Sequence, residues 1–255
     1  MVSVDTLLTS LGTVFVTIRG HDSGCTSYGV SDGRRRWFVK AAYGADIAQL
    51  RSAARFHGAV HHPSIVPLVD VREIAGGLAV VYPWVAGEVL NDPYVAGALP
   101  RDSAESALSR FRRLPVNTIV GVLDTIFDAH VEVAGRGFVA VDFYDGCILH
   151  DFATDVVRLV DLDLYRPGPY TLDADRQFGS ARFMAPEEWE RGASIDERTT
   201  VFTLGRTARV LLGEEDGGWR GSAALADVAE RATKSRAADR YPSVTKLLAA
   251  WRGAG

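Results

Sequence analysis

The sequence predicts an α+β protein, with strands gathered toward its start and helices filling most of the remainder. Three observations carry that expectation. Runs rich in β-branched and aromatic residues alternate with Gly/Asp turns over residues 13–41, a short apolar hairpin lies near the middle of the chain, and apolar residues recur at helical spacing over 116–134. At 255 residues the chain is long enough to bury a proper core, as one large domain or as two lobes.

Taken in order, residues 13–19 (TVFVTIR) read as a strand, and a second strand starts at 28–31. Asp32 and Gly33 turn the chain into a third at 36–41, which makes an antiparallel meander. Residues 46–60 have helical apolar spacing at Ile47, Leu50 and Ala54, ended by His61 and Pro63. Two more strands are expected at 65–71 and 77–84. The PWVAGE segment, 83–88, then reads as a break between a sheet-rich part, 1–86, and a mainly helical part, 87–255. Residues 91–114 are mixed and charged, and a long helix follows at 116–134. The hairpin pairs 147–152 with 156–161 through Ala153, Thr154 and Asp155. Residues 166–179 are rich in Pro, Gly and Asp and read as loop, and further helices are expected at 200–212, 223–232 and 243–251.

Composition narrows the partners. With 28 basic and 32 acidic residues the net charge is −4, which offers no general attraction for nucleic acid or an anionic membrane surface. Asp5 interrupts the only early apolar region and no basic leader precedes it, so neither a signal nor a transit peptide is expected, and no apolar run approaches a membrane span. Two cysteines, Cys25 and Cys147, fit a reducing cytoplasm better than a disulfide framework.

A hairpin brings its ends together. Its geometry therefore gathers Asp142, Asp145, Asp161 and Asp163 at one edge of a small sheet. Like charges about 4 Å apart repel by roughly 4 kcal/mol at an intermediate dielectric, so such a group needs a neutralising partner. A divalent cation is the simplest, and hard oxygen ligands with few histidines nearby favour magnesium over zinc. A turn role suffices for Asp145 and Asp155; it does not account for Asp142 or Asp161, which sit against apolar runs. Of the basic residues only Lys40, Lys234 and Lys246 are lysines. Lys40 lies within an apolar strand, either because a compact ammonium is wanted there or because an edge strand points it to solvent. Residues 20–27 admit two readings as well: a phosphate cradle built on Gly20, Ser23, Gly24 and Ser27, or a surface hairpin turn.

Laid in this order, the motifs resemble the protein kinase-like superfamily across nearly the whole chain. FVKAA resembles its strand-lysine motif, YPWVAGE its hinge, VAVDFYDGCIL its catalytic loop and VDLD its DFG motif. GSARFMAPEEW resembles the end of its activation segment, and Arg240 matches the late arginine that pairs with the APE glutamate, here Glu187. SGCTSYGV is closer to the loop of small-molecule phosphotransferases such as those acting on aminoglycosides. The resemblance implies a bilobal fold, a divergent bacterial-type Ser/Thr kinase, and ATP held between the lobes, with Tyr82, Trp84 and Val85 beside the nucleotide. It implies that Lys40 holds phosphates, that Asp142 orients and deprotonates a hydroxyl on a protein or small molecule, and that Asp161 holds Mg2+ with Asp163 or Asp145 in support.

The chain departs from the pattern at specific places. The glutamate expected on the helix after the lysine strand is missing, since no acid occurs between Asp46 and Asp70; Lys40 would need Asp46, Asp161 or the nucleotide as partner. Val141 replaces the HRD arginine, Tyr144 the following lysine, Cys147 the metal-ligating asparagine, and Thr200 the aspartate that braces the catalytic loop from a later helix. These losses support an alternative expectation, a pseudokinase that binds nucleotide or a partner without transfer.

Overall fold

The computed structural model describes residues 2–19, 24–91, 98–213 and 218–255, and shows a mixed α+β chain. It opens with a helix that the sequence pattern did not announce, α1 (Val4–Leu11), started by the Ser3 hydroxyl accepting from the Thr6 N–H. Strands β1 (Thr13–Ile18), β2 (Thr26–Ser31) and β3 (Arg36–Tyr43) form the expected meander. Helix α2 (Ile47–Ala59) follows, then β4 (Asp70–Ile74) and β5 (Gly77–Pro83), giving a five-stranded antiparallel sheet in the order β1-β2-β3-β5-β4.

The expected strand at 65–71 is displaced. Ile65 and Val66 are buried but lie outside the sheet, with Ile65 bridging to Leu159, and the strand begins only at Asp70. A short apolar run bound for the core looks the same in sequence whether or not it joins a sheet.

The two faces of the sheet have different covers. Leu7 and Leu8 of α1 pack with Val30, Val39, Ala79 and Val81 on one face, whereas Leu50 of α2 packs with Ala42, Leu78, Val80 and Tyr82 on the other. Alternation along the strands sends Lys40 to the α2 side, because it shares its register position with Ser27 on β2 and Val80 on β5.

Beyond the sheet come β6 (Glu88–Val89), α3 (Ala107–Arg112), α4 (Val116–Gly135) and β7 (Phe138–Val139). The hairpin β8 (Ile148–Asp151) and β9 (Val156–Leu159) is present in the expected place. The stretch expected as loop carries two-residue strands, β10 (Arg166–Pro167) on β7 and β11 (Tyr170–Thr171) on β12 (Ser194–Ile195). Helices α5 (Glu197–Leu212), α6 (Ala223–Ala232) and α7 (Val244–Ala254) complete the order, capped at their starts by Asp196, Ser222 and Ser243. The largest core joins α4 to α7 with the hairpin and with Phe56 and Val60 from the end of α2. No described helix is long and apolar enough to cross a membrane.

Candidate functional site

The hairpin places Asp161 and Asp163 just past β9, facing β3. Lys40 Nζ donates to Asp161 Oδ1, and to Asp163 Oδ2 at 2.6 Å. Tyr82 on β5 completes the group by donating its hydroxyl to Asp163 Oδ1 at 3.0 Å. Burial works to push the Lys40 ammonium toward neutrality, but Asp161 and then Asp163 outweigh it and hold the lysine well above its usual range. Burial, reinforced by the Asp163 charge, likewise raises the Tyr82 phenol, so it stays a donor. The charge partner that the neighbouring helix does not supply is Asp161, one of the expected candidates, joined by Asp163 two residues further on. Asp46, the other candidate partner, lies against Gly24.

Asp142 belongs to the same group through the backbone. The Cys147 thiol reaches the Asp142 carbonyl at 3.4 Å and the Asp161 carbonyl at 3.8 Å. Burial and then the Asp161 and Asp142 charges push that thiol well above its usual range, which makes it a protonated tie between the two loops and a poor target for oxidation. Among the described non-glycine residues, only Asp142, Asp155 and Asp161 have positive φ, at 58°, 56° and 58°. Asp155 is the hairpin turn, where such a conformation is expected; the other two carry the candidate chemistry, and strain held by surrounding structure collects at such sites. Asp142 Oδ1 accepts the Ser180 N–H at 3.0 Å, which brings the 177–188 segment over it.

Two of the acids expected to hold a cation are engaged elsewhere. Asp145 is fully buried and takes Arg101 Nε at 2.8 Å and Arg182 Nη2 at 3.2 Å, so it fastens the 142–147 loop to flanking segments. Asp163 gives one oxygen to Lys40 and the other to Tyr82, and its side chain is 1% exposed. The four-carboxylate cluster is thus split, the charges of Asp145, Asp161 and Asp163 being answered by an ammonium and two guanidiniums. Among the described residues no group of three His, Cys, Asp or Glu is arranged to hold a metal. The Asp161 side chain remains 44% exposed, and one carboxylate with phosphates and water is a set that magnesium commonly takes. The donors therefore fit a magnesium arriving with a nucleotide, through Asp161, and not a cage prepared by the protein alone.

For the nucleotide the fit is divided. Ser27 Oγ is buried with no hydrogen-bond partner and shares the Lys40 face, and Gly24, at φ 70°, leaves no room for a Cβ. Both suit a phosphate donor set; Gly20 and Ser23 lie outside the described residues. Tyr82 points inward to Asp163, Val85 packs beside it, and Trp84 is surface-exposed with its ring 5.0 Å from Phe15 and 6.2 Å from Phe38. The Phe15 ring lies over Gly29, where a Cβ would come within 2.6 Å of it, so aromatic rings line the sheet beyond Ser27 on the Lys40 face. Sequence spacing gave no sign of this lining, although Phe15 and Phe38 stood in predicted strands.

Longer-range braces hold the loops. Thr200 Oγ1, where the resemblance led one to expect an aspartate, accepts the Ala140 N–H at 3.1 Å. Arg240, wholly buried, pairs with both oxygens of Glu187 at 2.7 and 2.8 Å, the contact that the late arginine led one to expect. His130 is structural: its Nδ1–H donates to the Ile126 carbonyl, which leaves Nε2 to accept from the Tyr165 hydroxyl. No protein-family model matches the chain, and no curated protein matches it significantly.

Proposed function

We propose that the chain is an ATP- and magnesium-dependent phosphotransferase of the protein kinase-like superfamily, with a bilobal arrangement and a hydroxyl as acceptor. The observation that supports this most is the meeting of Lys40 with Asp161, while Asp142 is tied to the same turn by the Cys147 thiol. In this reading Lys40 and Ser27 hold phosphate oxygens and Asp161 holds the cation. The Asp142 carboxylate orients the acceptor hydroxyl and takes its proton as the phosphoryl group moves. Bound magnesium would supply charge neutralisation between the phosphates.

A second reading, a nucleotide- or partner-binding scaffold without transfer, draws support from the closed Lys40–Asp163–Tyr82 group and from the aromatic rings over Gly29. One experiment separates them: ATP hydrolysis and phosphate transfer are compared with ATP-induced thermal stabilisation in the wild type and in Asp142→Asn. Transfer requires magnesium-dependent stabilisation of both proteins and a fall in turnover of roughly 10²- to 10⁴-fold in the variant. Equal stabilisation with no turnover in either would leave the scaffold.

A further inference from the structure

An open cavity of about 470 Å³ lies between the 177–188 segment and the α5–α6 pair, and its lining sets Arg182, Arg206, Arg209 and Lys234 against the single acid Glu230, with the buried Met184 and Phe202 beside them. Two of these cations are already answered. Arg182 reaches Asp145, and Lys234 reaches Glu230 Oε1 at 2.6 Å. Arg206 and Arg209 form no ion pair among the described residues. Arg206 is nonetheless held in place, because its Nε donates to the Arg182 carbonyl at 2.9 Å. Burial and then the neighbouring Arg209 charge pull its basicity down, as expected where like charges share a site.

The cavity is also close to the candidate chemistry. Ser180 N–H rests on Asp142, and Arg182 is two residues further along. Consecutive Cα atoms are about 3.8 Å apart, so the Arg182 Cα lies within about 8 Å of the Ser180 Cα. An extended peptide with its hydroxyl at Asp142 covers such a span in roughly two to four residues.

We propose that this cavity binds the anionic side of the acceptor: an acidic polypeptide segment whose carboxylate or phosphate lies two to four residues from the accepting Ser or Thr. The proposal rests on the phosphotransferase reading for the position of the hydroxyl, but its binding step requires no transfer. Arginine guanidiniums suit carboxylate and phosphate geometry, and Met184 and Phe202 offer apolar contact to the intervening residues.

The test is binding of a serine peptide flanked by Asp and Glu, set against its Asn/Gln counterpart, to the full chain without nucleotide. The same pair is measured on Arg209→Gln/Lys234→Gln, whose substituted residues are exposed, with the melting curve confirming that the fold is kept. The acidic peptide should bind about tenfold tighter to the wild type, with the difference largely gone in the double variant and with inorganic phosphate as a competitor. Equal binding of the two peptides overturns the proposal. So does a preference untouched by the double variant, or phosphate binding without peptide discrimination. An acidic preference that persists in Asp142→Asn while no protein shows turnover would retain the cavity and reject the transfer reading.

Discussion

Glu188 is a buried carboxyl whose ionisation the fold moves close to neutral pH. Burial lifts its carboxyl to about 7, although its Oε2 accepts the Ala185 N–H at 2.7 Å, a bond that favours the charged form. Because the folded value lies above the unfolded one, the protonated side chain contributes stability below about pH 4.5. That contribution is lost as pH rises through about 7. Glu188→Gln keeps an acceptor for Ala185 and removes the charge. Its stability relative to the wild type should therefore rise on going from pH 5 to pH 8, by on the order of 3 kcal/mol, in urea unfolding at the two pH values. An unchanged difference would show that the carboxylate is already hydrated at neutral pH. The sequence marked Glu188 only as a neighbour of the APE glutamate, since burial is what moves its pKa. It likewise singled out Lys40, Asp142 and Asp161, through a rare lysine and acids set against apolar runs. It could not give Asp163 to Lys40, because no spacing rule connects side chains 123 positions apart.

At the scale of elements, the hairpin and the helices α4 to α7 were legible because their apolar periods are long or their turns explicit. Helix α1 was missed. Only eight residues long, it carried one usable signal, Ser3 three residues before Thr6 with Leu7 and Leu8 following, and its burial depends on a sheet face formed by later strands. Thr200 illustrates how one element holds a loop carried by another. Its hydroxyl on α5 takes the Ala140 N–H, and the residue is buried, so a side chain without an acceptor would leave that N–H unanswered. Thr200→Val, close to isosteric, should cost about 1–3 kcal/mol in urea unfolding and also lower any turnover by loosening the loop that carries Asp142. Thr200→Ser should recover most of both. Loss of stability in the valine variant that serine fails to restore would mean that packing of the methyl group, and not the hydrogen bond, fixes the loop.

At the scale of the molecule, Lys40 is a charge link between the five-stranded sheet and the segment beyond the hairpin. Its value depends on which acid it serves. Joining buried ions is close to neutral in net stability, because desolvation offsets attraction, whereas removing one partner strands the other and typically costs about 3–5 kcal/mol. Lys40→Met fills a similar volume and strands both acids, yet their environments differ. Asp161, with its side chain 44% exposed, can be hydrated where it stands, while Asp163, at 1%, cannot. Most of the loss should therefore come from Asp163. Adding Asp163→Asn to Lys40→Met should restore much of the lost stability at pH 7, since the amide oxygen can still accept from Tyr82 and no buried charge remains. Adding Asp161→Asn instead should restore little. Urea midpoints of the single and double variants decide the matter. Rescue by the Asp161 change, or a Lys40→Met protein as stable as the wild type, would mean that the ammonium serves the exposed acid and not the buried one.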